Sequence, residues 1–254
     1  MTRFARVEHE GRATWLRVDD GAVLKGAPWV SEEVTGTADP TRLPRLPPAT
    51  PSKLVCVGRN YRAHAQELGN EVPKEPLLFF KPPSSLLAPG GTLLLPPESE
   101  RVEHEGELTI VIGRRGRRIA RERALDHVFG YTIACDVTAR DLQKKDGQWT
   151  RAKGFDGFCP LGPEIVTGID PAALGVRVRV RGSLRQDGNT RDMVFDVAAL
   201  VAYVSNAMTL EPGDLILTGT PEGVGPLAAG DQVEVEIDGL GALAFDVARE
   251  SVAG

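Results

Sequence analysis

VEHEGELTIVIG, Val102–Gly113, holds an apolar run of strand length, LTIVI, framed by glycines. Such a run reads as a buried strand. Side chains on a strand alternate between faces, so Glu103, Glu105 and Glu107 share one face of it. Outward from this segment the texture repeats. KLVCVG (53–58), GYTIACDVT (130–138), DLILTG (214–219), QVEVEIDG (232–239) and ALAFDVA (242–248) are strand-like, and LLFFKPPSSLL (77–87) starts as a strand and is stopped by prolines. VRVRVRG (176–182) alternates strictly, which predicts one wet face. Helical patterns are few. Tyr61–Leu68 forms one, with Asn60 placed to cap it and Gly69 at the C′ position, and residues 198–210 form another. Strands outnumber helices and do not alternate with them. The expectation is an α+β, mainly β fold rather than a doubly wound sheet.

The 254 residues suit one large domain with a small appendage. Residues 1–50 read as a small β-rich region (FARVE, ATWLRV, GAVLKG), and residues 51–254 as the catalytic domain. The proline-rich RLPRLPPATPS connects them as extended chain. The pentapeptide VEHEG occurs a first time at Val7–Gly11, where it runs into ATWLRV and reads as a hairpin with Glu8 and Glu10 at its solvated end. A net charge of -5 with mixed signs argues against a nucleic-acid or acidic-membrane partner. RRGRR (114–118) reads as a solvated turn. Three widely spaced cysteines, Cys56, Cys135 and Cys159, make neither a disulfide framework nor a thiolate zinc site, and Cys159 reads as a small apolar filler. With no apolar stretch of signal-peptide or membrane-spanning length, the expected location is the cytoplasm.

Neighbouring carboxylates on one strand face lie about 7 Å apart and repel by roughly 2.4 kcal/mol at an effective dielectric of about 20. Water screens this at an edge. Against a buried strand it calls for a cation or raised pKa values. Carboxylate oxygens suit Mg²⁺, Mn²⁺ or Ca²⁺, and the lack of paired His or Cys argues against zinc. The pattern alone is equally at home on a half-solvated strand, which is how Glu234 and Glu236 in QVEVEID are read. Asp136, ending the apolar TIAC, is a third acid beside a buried strand, and Lys153 follows in RAKGFDG. Three carboxylates, one dication and one lysine balance to zero. His104 alternates away from Glu105 and reads as packing or as support for a ligand.

CVGRNYRAHAQELG, FFKPPSS, EHEGELTIVIG, CDVTARDLQ, RAKGFDGFCPLGP and GDLILTGTPEGVGPL, in this order from about residue 53 onward, resemble the fumarylacetoacetate hydrolase family. The resemblance implies a twisted β-roll, a homodimer and small 2-oxo acid substrates. It implies Glu105, Glu107 and Asp136 as ligands of Mg²⁺ or Mn²⁺, with Glu103 outside the ligand pattern, and Lys153 as an active-site lysine. His64 and Glu67, three apart on one helix face, fall on the family's lid, where a carboxylate orients a basic imidazole. Arg59, Arg140 and Gln143 are implied to contact substrate or shape its pocket, though Arg140 is equally placed for a structural ion pair. Thr220 is implied to donate to the substrate carboxylate.

The leading expectation is a Mg²⁺-dependent hydrolase that cleaves a C–C bond in acylpyruvate-type 2,4-dioxo acids, with oxaloacetate decarboxylation as a second activity. The alternatives are a 2-hydroxyhepta-2,4-diene-1,7-dioate isomerase or decarboxylase of aromatic-acid catabolism, and a non-catalytic metal-binding scaffold.

Overall fold

Strands dominate the structure, a computed structural model that describes residues 1–251. The α+β, mainly β expectation is met. The largest sheet runs in the order Val34–Thr37, Ala22–Leu24, Arg12–Arg17, Thr2–His9, Cys159–Thr167, Val128–Cys135, Gly106–Ile112, Leu215–Leu217, Leu54–Gly58, Leu77–Lys81. Residues 1–50 share this sheet, because Thr2–His9 pairs antiparallel with Cys159–Thr167. A second sheet contains Gly175–Val180, Ser183–Asn189, Gln232–Ile237, Gly241–Arg249 and Thr92–Leu95.

Gly106–Ile112 is buried along its whole length, because both of its faces are covered. Leu108, Ile110 and Ile112 pack with Val178 and Val235 of the second sheet. Val111, on the other face, packs with Cys56, Cys159, Leu161 and Leu217. Phe4 and Trp15 from one end of the strand order meet Leu54 and Cys56 from the other, so the main sheet curls around this second cluster. The second sheet is wet on its outer side. Val176, Val178 and Val180 are buried while Arg177 and Arg179 reach Glu236.

The short helix spans Arg62–Glu67, with Gly69 at φ 68 behind it. Asn60 does not cap it. Tyr61 is the N-cap, with no side-chain hydrogen bond. Asn60 is fully buried instead. Its Nδ2 donates to Thr218 O at 2.7 Å and Phe195 O at 3.0 Å, and its Oδ1 accepts from Phe195 N at 2.8 Å. Three backbone partners in the core outweigh one solvated helix end, and they pin the start of the helix segment to two other parts of the chain.

Candidate active site and metal centre

The ladder between Gly106–Ile112 and Val128–Cys135 builds the acidic cluster. Glu107 pairs with Ala134 and Gly106 with Cys135, and Asp136 N donates to Glu105 O at 2.8 Å just beyond. Glu105, Glu107 and Asp136 are all buried, and one oxygen of each lies within 4.8 Å of the others. Three cations surround them. Lys153 Nζ, on the short helix Thr150–Gly154, donates to Glu105 Oε2 at 2.9 Å and Asp136 Oδ2 at 2.7 Å. Arg140 donates through Nη2 to Glu105 Oε1 at 2.5 Å, through Nε to Glu103 Oε2 at 2.7 Å, and through Nη1 to Gln143 Oε1 at 2.7 Å. Lys81 Nζ donates to Asp136 Oδ1 at 2.7 Å and Val137 O at 3.1 Å.

The carboxylates do not fare alike. Burial works to raise the pKa of Glu105, but Lys153, Arg140 and His64 outweigh it and hold this group well below the usual carboxylate range. Among the described residues Glu107 has a single hydrogen bond, from Gly219 N to Oε2 at 2.7 Å. Burial, then Asp136 and Glu105, push its pKa well up. Burial opposes the charge on Lys153, yet Asp136 and Glu105 raise its pKa, so the ammonium stays protonated. With a proton on Glu107, the remaining carboxylates of Glu103, Glu105 and Asp136 balance Lys81, Lys153 and Arg140.

A divalent cation fits this cluster. The convergent donors are all carboxylate oxygens, with no His or Cys in the group, and this is the chemistry of a hard ion. Glu107 is the group such an ion would relieve, because it is buried beside two other acids with no cation among the described residues hydrogen-bonded to it.

Around the cluster lies a cavity of about 50 Å³. Arg59, His64, Glu105, Glu107, Asp136, Arg140, Gln143, Lys153 and Thr220 all line it, together with Val57, Phe79 and Trp149. Lys153 sits 5.0 Å over the Phe79 ring, and Phe79 packs edge-on against Trp149. An outer chamber of about 410 Å³ shares Arg59, Arg140, Gln143 and Trp149 and adds Glu67, Arg101 and Lys144. His64 is buried, with Nδ1 3.3 Å from Glu67 Oε2. Glu67 also accepts from Gly223 N at 3.0 and 3.2 Å, so it links the helix to the glycine-rich loop. Thr220 reaches the cavity, but its hydroxyl donates to Gly106 O at 2.8 Å.

Sequence reasoning overlooked two charged residues here. Lys81 ends LLFFK, and strand alternation puts it on the face of Phe79, a signal that was legible. Glu103, set aside because it falls outside the family's ligand pattern, is the group that fixes Arg140 from behind. His104 is buried against Gln186 at 3.1 Å. Cys159 is buried, and its thiol pKa is pushed up to about 12 by burial, consistent with a packing role.

The pattern of the fumarylacetoacetate (FAA) hydrolase C-terminal domain matches residues 53–248. The chain belongs to the fumarylacetoacetate hydrolase family. It is 48% identical over 204 residues to a mitochondrial oxaloacetate tautomerase of Arabidopsis thaliana, covering 78% of this chain and 92% of that one. The crystal structure of a 5-carboxymethyl-2-hydroxymuconate delta-isomerase from Mycobacterium smegmatis superposes with a TM-score of 0.91 at 41% identity, covering 98% of this chain and 100% of that one. A fumarylpyruvate hydrolase from Pseudomonas aeruginosa, in complex with Mn²⁺ and pyruvate, gives a TM-score of 0.73 at 37% identity over 79% of this chain and 91% of that one. Members of the fumarylacetoacetate hydrolase family are enzymes, and this chain shares the fold of its solved relatives. No helix among the described residues is long and apolar enough to cross a membrane.

Proposed function

We propose that this protein interconverts the enol and keto forms of a small 2-oxo acid carrying a second anionic group, of the oxaloacetate type. The observation that carries this reading is His64, buried at the wall of a cavity of about 50 Å³, with Nδ1 engaged by Glu67. Nε2 is then the ring atom left to exchange a proton with the ligand. Ketonisation needs one proton delivered to C3 as the enol O–H proton leaves, and a histidine oriented by a carboxylate suits both directions. The inner cavity has room for the head of a 2-oxo acid. Arg59, Arg101, Arg140 and Lys144 around the outer chamber suit a distal carboxylate. Glu105, Glu107 and Asp136 would hold Mg²⁺ or Mn²⁺, which supplies Lewis-acid stabilisation of enolate charge when bound. Arg140 and Lys153 keep Glu105 and Asp136 in place from the protein side. The tautomerase and isomerase relatives support the same chemistry.

Hydrolysis of an acylpyruvate, the leading expectation from sequence, is the second reading. The His64–Glu67 pair that moves a proton to carbon can equally deprotonate water, and the fumarylpyruvate hydrolase likeness favours it. A homodimer belongs to this proposal and is read by sedimentation.

The test follows decay of the oxaloacetate enol by ultraviolet absorbance with Mg²⁺, with Mn²⁺ and with EDTA. The expected result is metal-dependent acceleration that His64→Ala reduces by ~100-fold or more. No acceleration, with pyruvate released from acylpyruvates instead, would move the assignment to the hydrolase. Inertness toward both would leave a metal-binding scaffold.

A further inference from the structure

One rigid side chain stands where the two chambers meet. Arg59, Leu68, Asn70, Arg140, Gln143 and Trp149 line both the inner cavity and the outer chamber. Glu105, Glu107 and Asp136 line only the inner one, and Arg101 and Lys144 only the outer one. A ligand with its head at the acids and a distal carboxylate among the outer cations therefore crosses this boundary with the atoms that join the two. In a 2-oxo acid of the oxaloacetate type, that joint is C3.

Much of the boundary can yield. Arg59 is a long flexible chain, and Leu68 is 38% exposed. Asn70 follows the helix and donates only to Leu68 O, at 3.3 Å. Arg140 is fixed, but by turning its guanidinium onto Glu103, Glu105 and Gln143. Trp149 is wedged. A Cβ on Gly58 would lie 3.0 Å from its Cζ3 and 3.2 Å from its Cη2, so the indole rests against bare backbone at the end of Leu54–Gly58. Phe79 packs edge-on against it with ring centroids 5.1 Å apart, and Phe79 is itself held under Lys153 Nζ. Its carbonyl accepts from Lys153 N at 2.9 Å, so Trp149 opens the helical turn that carries Lys153 to the acids.

We infer that Trp149 sets the width of the passage at C3, so that the site takes 2-oxo acids with an unbranched C3 and rejects those with a further substituent there. The inference rests on the 2-oxo acid reading above. A ring braced by Gly58 and Phe79 has no relaxed position to retreat to, and an extra methyl at C3 meets close-packed wall instead of yielding chain. Trp149 thus determines specificity by shape, with no part in moving the proton.

The test is calorimetric binding to the Mn²⁺-loaded protein of oxalate, 2-oxobutyrate and 3-methyl-2-oxobutyrate. Oxalate is a head with no C3, and the two oxo acids differ by one methyl on C3. Wild type should bind 2-oxobutyrate at least ~10-fold more tightly than the branched acid. Trp149→Ala should bring the two within ~2-fold by tightening the branched acid, with oxalate held within ~2-fold, and Trp149→Phe should fall between. A merely structural role would weaken all three ligands alike. Where Trp149→Ala loses oxalate, Trp149→Phe and Trp149→Leu are read by the same ratio. No preference in wild type, an unchanged ratio in a variant that keeps oxalate, a ratio narrowed only by weaker 2-oxobutyrate, or loss of oxalate in all the variants overturns the inference and leaves the 2-oxo acid reading intact. Failure of wild type to bind either oxo acid sinks that reading and this inference with it.

Discussion

The pentapeptide VEHEG is a surface hairpin at Val7–Gly11 and the root of the candidate active site at Val102–Gly106. In the first copy Glu8 and Glu10 are exposed, and Glu10 and Gly11 form the turn at φ 50 and 72. In the second copy all five residues are buried. The glycines differ as well. A Cβ on Gly11 would meet nothing within 4 Å, while one on Gly106 would lie 2.4 Å from Val178 Cγ2. Gly11 is needed for its backbone angle and Gly106 for its lack of bulk. Local preference is the same in both. What separates them is the continuation: Arg12 and a half-exposed strand in one case, Glu107 and a strand covered on both faces in the other.

Substitution at matched positions sharpens the contrast. Glu105→Gln is expected to cut turnover at least ~100-fold and to abolish tight Mn²⁺ binding, while Glu10→Gln leaves both unchanged. Steady-state rates with metal titration check this, and similar losses in the two variants would erase the distinction. At the glycines, Gly106→Ala overpacks against Val178 and Val235 and should cost about 1–3 kcal/mol. Gly11→Ala pays a comparable backbone cost, roughly 1–2 kcal/mol. Asparagine tells them apart. Gly11→Asn should recover most of the loss, because Asn tolerates the left-handed region, and Gly106→Asn should be worse than alanine. Denaturant midpoints read the difference.

His104→Ala removes a buried donor to Gln186 and should destabilise by about 1–3 kcal/mol, whereas His9→Ala should stay within about 0.5 kcal/mol. The residue after each copy gives a pH test. Burial raises the pKa of Glu107 above its ordinary 4.5. Its contribution to stability is therefore complete below that pH and is lost as pH rises toward the folded value. In EDTA, Glu107→Gln should gain in melting temperature over wild type as pH rises from about 5 to 8, while Arg12→Gln should track wild type. Parallel curves for Glu107→Gln would mean that Glu107 is not the strained acid.

The strands and the acidic triad were legible because period-2 alternation and buried apolar runs are local signals. Lys81 was legible too, by the alternation of LLFFK, but a lysine at the end of a strand usually reaches water, and only the fold shows Asp136 waiting for it. Gln186, the partner of His104, could not be read. SLRQDGN is mostly exposed, and the value of its one buried side chain depends on Gly106 and Pro221, 80 and 35 residues away. Asn60 resembled a helix cap because capping is local, whereas its real partners are brought near by tertiary packing.

Lys81, Lys153 and Arg140 already offset the acids around Asp136, so the fold needs no bound cation to neutralise them. A zinc finger assembles around its metal and collapses without it. Here the acids are balanced from within the chain, so a metal held at the triad would join a fold that does not depend on it for charge balance. If the triad holds an ion as proposed, metal supply rather than synthesis would set how much of the protein is active.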